Sequence, residues 1–155
     1  MKDIVNKLIK LNKTISTMES CTGGSLVNSL TNIENSSLVL KYSAVTYSNE
    51  FKIKMGVSKV TIDKYSVYSI ETAREMSKSI SNFTNSNYGV GITGKLNRKD
   101  PNNLIGSDNK VFISIYDKDI DKYYFYEIEV HKNKRCENKK EVVDFIISKL
   151  LEIIK

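Results

Sequence analysis

Residues 19–24 bring a carboxyl, a hydroxyl, a thiol and two glycines together as Glu19-Ser20-Cys21-Thr22-Gly23-Gly24. They follow the β-branched run Thr14–Met18 and precede Leu26, Val27, Leu30 and Ile33, whose spacing predicts a helix starting at the turn. Glycines at a strand-to-helix turn permit positive φ and close backbone approach, and the free amides of a helix N-terminus attract negative charge. Three readings are open for such a place: an activated nucleophile at Ser20, a phosphate cradle, or a tight turn with Ser20 as a cap. A second stretch, Tyr47-Ser48-Asn49-Glu50-Phe51-Lys52, closes another strand-like run, Tyr42–Tyr47. Ligands of open α/β sheets gather beyond the carboxyl ends of strands, so both stretches are placed to face one crevice.

A serine hydroxyl is a weak nucleophile until a base takes its proton. His131 is the only histidine and lies in the lysine-rich VHKNKRCENKK, which reads as a solvated loop and disfavours a histidine-dependent triad. The base is then a lysine, a tyrosine or a carboxylate. Lys52 is the candidate. A solvated lysine titrates near about 10.4 and is protonated at neutral pH. Burial or a neighbouring cation lowers that value. Tyr47 would then relay or orient the proton through its hydroxyl. The plainer reading makes Lys52 a surface lysine on a short helix, as most lysines are. Cys21 and Cys136 are the only cysteines, too few with one histidine for a Cys/His metal cluster or a disulfide framework. Neither metal nor cofactor is expected.

Ile4, Val5, Leu8 and Ile9 predict a helix over 3–12. SNEFKIKMG predicts a short helix closed by Gly56, and Ser69 with Glu71 predicts a capped helix through Ala73, Met76, Ile80 and Phe83. Tyr88–Thr93 predicts a strand with glycine at alternate positions, ending at Gly94. Residues 95–109, which hold the only proline, read as a long exposed loop. Lys110–Tyr116 and Tyr123–Val130 predict a hairpin across DKDID, and 141–154 predicts a closing helix. Strands alternating with helices and ending in a hairpin predict an α/β protein: a single three-layer α/β/α domain over 1–155 with a mixed β-sheet.

With 155 residues, 40% hydrophobic and 27% charged, the chain can bury a real core, and its apolar runs are too short to span a bilayer. The N-terminus has no signal-peptide pattern, so a cytoplasmic protein without membrane partners is expected. The net charge of +6 is spread along the chain with no aromatic-basic module, so no nucleic-acid partner is expected.

ESCTGG, Asn35-Ser36-Ser37 and VTYSNEFKIKMGV at 45–57 together resemble the C-terminal domain of the CinA family, which includes bacterial nicotinamide mononucleotide amidohydrolases. The similarity runs through the order of elements from residue 3 to 94 and more weakly to the end. It implies a metal-independent Ser/Lys amidohydrolase that converts nicotinamide mononucleotide to nicotinate mononucleotide and ammonia. By the same resemblance Ser20 matches the nucleophile, and Tyr47 and Lys52 match the residues that complete the catalytic group. Backbone amides of Thr22, Gly23 and Gly24 would stabilise the oxyanion. Ser36, Asn49 and Gly94 lie in matched stretches as substrate contacts, and Cys21 reads as packing. A homo-oligomer is plausible on this resemblance alone. The family's glycine- and proline-rich loop is replaced by GITGKLNRKDPNNLIG at 91–106, where Lys95 and Arg98 read as solvated charges rather than phosphate contacts. The family's later arginine has only Lys134 or Arg135 as counterpart. The altered loop leaves a second reading, a nucleotide-binding or regulatory module with little or no catalysis.

Overall fold

A computed structural model describes residues 1–155. Its five strands are β1 (Ile15–Glu19), β2 (Ala44–Val45), β3 (Tyr88–Gly94), β4 (Lys110–Asp117) and β5 (Lys122–Glu129). They form one sheet in the order β2-β1-β3-β4-β5. The first three strands run parallel and the β4–β5 hairpin runs antiparallel, the mixed sheet expected of this element order. Glu19 lies opposite both Val45 and Ile92, so the three parallel strands end side by side. That register brings the residues after β1, β2 and β3 to one edge.

Helices cover both faces. Alternate residues of the central strands separate two cores, as the two-residue period of a strand requires. Ile15, Val90, Ile92, Ile113 and Ile115 join the larger cluster with α1 (Lys2–Lys10), α2 (Ser25–Thr31) and α6 (Arg135–Ile153). Met18 faces the other way, onto Met76 and Ile80 of α5 (Ile70–Thr84). Gly89 and Gly91 explain why α5 lies so close. A Cβ at Gly91 would stand 2.2 Å from the Ala73 carbonyl oxygen, and one at Gly89 only 2.0 Å from that of Ser77. The helix answers with small polar groups that bond across the gap: Ser77 to Ser114 at 2.8 Å, and Ser81 Oγ to the Ser86 carbonyl at 2.7 Å.

Two caps set the helices that matter most. Ser69 Oγ accepts from Thr72 N and opens α5, as expected. Ser48 Oγ accepts from Phe51 N and opens α3 (Asn49–Lys54), the short helix that carries Lys52. Gly56 follows α3 at φ 103°, in the left-handed region that favours glycine.

Four expectations need correction. The run Tyr42–Tyr47 forms a ladder only at Ala44–Val45, because Thr17 N donates to the Ser43 hydroxyl instead of a backbone carbonyl. A further helix, α4 (Lys59–Tyr65), stands where none was read; it buries no residue fully, and Val60, Ile62 and Tyr65 give too short an apolar pattern to mark a helix. The closing helix starts at Arg135, not 141. Asn138 anchors that polar first turn, bonding Lys132 and the Leu96 carbonyl while fully buried. The segment 95–109 is not wholly exposed either: Lys95 and Leu96 are buried.

Candidate active site

Ser20 follows β1, and its amide continues the pairing by donating to Ile92 O at 3.0 Å. The hydroxyl is therefore held on the rigid end of the sheet. Gly23 and Gly24 take φ of 60° and 89° and swing the chain into α2. Glu19, fully buried, aims its carboxylate back into this turn. It accepts from Thr17 Oγ1, from Thr22 Oγ1 at 2.7 Å, and from the amides of Gly24, Leu26 and Val27. The N-terminus of α2 thus already holds an anion that belongs to the protein.

This changes which amides are free of a protein acceptor. Gly24 N is bonded to Glu19, and Gly23 N donates to Ser20 O at 3.0 Å. The Cys21 and Thr22 amides donate to no protein acceptor. Of the turn expected over Thr22–Gly24, only the Thr22 amide remains, joined by that of Cys21.

Lys52 is 1% exposed, not a surface lysine. Its Nζ donates to Thr46 O at 2.8 Å and to Ser20 Oγ at 3.0 Å. No carboxylate touches it, and burial lowers its pKa from 10.5 to about 8. Thr46, next after β2, owes its place to the bond from its amide to Glu19 O. Its own Oγ1 is buried without a partner. Burial pushes the Cys21 thiol up to about 12, so it stays a neutral packing group.

A cavity of about 550 Å³ opens beside Ser20. Tyr47, Asn49 and Gly94 line it, together with residues that the sequence reading did not place there: Tyr68, Asp100, Asn103 and Arg135. Thr22, Gly23, Gly24 and Ser36 do not line it. Ser36 belongs to a 3-10 turn ending beside Val39, whose carbonyl accepts from Ile15 N at the opposite end of β1. Tyr47 is 65% exposed, and its hydroxyl accepts from Arg135 Nη2 at 3.3 Å. No hydrogen bond joins it to Ser20 or Lys52.

The segment 95–109 forms the far wall. Asn49 Nδ2 donates to Asn103 Oδ1, Asn103 Nδ2 donates to Asp100, and the Tyr68 hydroxyl donates to the same carboxylate. Burial opposes ionisation of Asp100, but the Tyr68 and Asn103 hydrogen bonds outweigh it and hold its pKa below the usual value. Lys95 is 3% exposed, correcting its reading as a solvated charge. Its Nζ donates to Asp108 at 3.0 Å and lies 5.3 Å from the centre of the Tyr68 ring. The signals were faint in the sequence, because a lysine or asparagine that ties down a loop has no period.

Comparison with known proteins bears on this site. A family model described as the CinA C-terminal domain matches residues 1–154. A competence-damage inducible protein of Clostridium botulinum (strain Langeland) is 46% identical over 92 residues, 59% of this chain and 22% of its own length. A namesake from Thermoanaerobacter sp. (strain X514) is 40% identical over 96 residues, 61% of this chain and 23% of its own. The chain thus spans less than a quarter of the length of these relatives. Among solved structures, a competence or damage-inducible protein from Enterobacter asburiae superposes with a TM-score of 0.90 at 22% identity, covering 99% of this chain and 95% of that one. A CinA superfamily protein from Escherichia coli gives 0.85 at 24% identity, over 98% and 87%. At those identities the likeness shows the fold.

Proposed function

The chain belongs to the CinA C-terminal domain family, and we propose that it is an amidohydrolase that cleaves the carboxamide of nicotinamide mononucleotide. The observation that carries this reading is the buried Lys52 Nζ, 3.0 Å from Ser20 Oγ, with its pKa lowered to about 8. A fraction of the lysine is then neutral near physiological pH and able to act as a base. Ser20 Oγ attacks the amide carbon as its proton passes to Lys52 Nζ. The oxyanion forms against the Cys21 amide, which lines the cavity and has no protein acceptor. Lys52 returns the proton to the leaving nitrogen, ammonia departs, and an ester on Ser20 remains. Water then attacks this ester, giving one proton to Lys52 and releasing the carboxylate as Ser20 regains its hydrogen. The net change is amide plus water to carboxylate plus ammonium.

The reading is of a cytoplasmic enzyme whose partner is a small nucleotide amide. Purified protein incubated with nicotinamide mononucleotide releases ammonia, and Ser20→Ala stops it; turnover by that variant at the original rate rejects the mechanism. A second reading draws on Tyr47, whose hydroxyl meets Arg135 rather than the Ser20–Lys52 pair. On that reading the cavity binds a nucleotide without chemistry, and calorimetry registers a stable complex with no ammonia.

A further inference from the structure

The cavity beside Ser20 holds more positive charge than the protein itself balances. Lys95, Arg98, Lys99 and Arg135 line it against one carboxylate, Asp100, and only three of its fifteen lining residues are hydrophobic. Lys95 is neutralised by Asp108. Asp100 is engaged by Tyr68, Asn103 and the Asn102 amide. Arg98, Lys99 and Arg135 take part in none of the molecule's ion pairs. Three cations facing one space without an anion call for a ligand that brings one.

The two arginines are fixed by neutral acceptors. Arg98 donates from Nη1 to Asn97 O and from Nη2 to Asn133 O, both at 2.6 Å. Asn97 Nδ2 donates to Lys132 O at 3.3 Å, so this corner of the loop is stapled to the residues before α6. Arg135 donates to Tyr47 OH from the other side. A guanidinium has five N–H donors in a planar fork, so each arginine keeps donors for a ligand. The other natural place for a phosphate, the N-terminus of α2, is taken by Glu19.

We infer that Arg98 and Arg135 form a subsite for a phosphate monoester carried by the substrate, with Lys99 adding charge at its rim. A tetrahedral phosphate monoester has three terminal oxygens that can accept from two forks on different elements, and it carries more charge than a carboxylate. The identity of the rest of the ligand rests on the amidohydrolase reading; the subsite itself does not.

The test uses Ser20→Ala protein, titrated calorimetrically with nicotinamide mononucleotide, its dephosphorylated nucleoside and inorganic phosphate. The mononucleotide is expected to bind at least about tenfold more tightly than the nucleoside, the worth of one good charge-assisted contact. Adding Arg98→Gln and Arg135→Gln is expected to remove both that preference and the binding of inorganic phosphate. Arg98→Lys, which keeps the charge and loses the fork, restores part of it. Melting curves of each variant report that the fold is kept. Equal affinity for mononucleotide and nucleoside, phosphate binding unchanged in the double variant, or no binding of any of the three overturns the subsite. Arginine-dependent binding of phosphate without binding of either amide supports the subsite and rejects the substrate reading, so the two failures are distinguishable.

Discussion

Lys52 is the residue on which most turns, and its burial has two measurable consequences. The first is kinetic. If the neutral amine takes the Ser20 proton, kcat/KM rises with pH and levels off through an apparent pKa of about 8. Lys52→Ala lowers kcat by about a thousandfold, in the range general for a lost acid–base group, and flattens that limb. The second is thermodynamic. The folded pKa of about 8 lies below that of an unfolded lysine, so between these values the unfolded chain binds more protons and stability rises with pH. Below about pH 8 the full penalty of a buried ammonium applies, at most about 3 kcal/mol. Lys52→Met removes it, so denaturant titration should find the variant's advantage over the parent greatest near pH 7 and shrinking towards pH 10.5. A constant difference across that range counts against burial as the cause.

At the scale of elements, α5 and the sheet are held close by positions that have no side chain. Gly91→Ala places a methyl within 2.2 Å of the Ala73 carbonyl, where backbone must move, and should cost about 3 kcal/mol in denaturant titration, beyond the usual overpacking range only if α5 shifts as a unit. The glycine alternation of this strand was legible from residues 88–94, as was the cap at Ser69, because turn and strand chemistry is local. The same holds for the pairing of ESCTGG with YSNEFK, whose meeting follows from parallel strands ending together. What was not legible has a common cause. The polar start of α6, helix α4 and the wall of the cavity depend on bonds of Asn138, Glu75, Lys95 and Asp100 to residues distant in sequence, and a single polar residue in a string does not declare whether it faces water or a buried carbonyl. Lys52 itself looked like its exposed neighbours until the sheet and α3 enclosed it.

For the whole molecule, the net charge of +6 and the unbalanced cations of the cavity predict electrostatic capture of an anionic substrate. KM should rise several-fold, by about three to tenfold, between 50 and 500 mM salt as the Debye length shortens, with kcat little changed. A fall in kcat alone would place the salt effect on the chemical step instead. Glu19, meanwhile, separates two duties that many anion sites merge. By filling the N-terminus of α2 with its own carboxylate, the protein withdraws that helix end from anion binding and leaves a substrate's charge to side chains on the wall opposite. Ser20 is anchored at the end of the sheet and Lys52 on α3, whereas Arg98 and Lys99 ride on the loop and Arg135 opens α6. Exchanging that one surface segment would therefore change most of what the cavity selects while leaving the reacting pair in place.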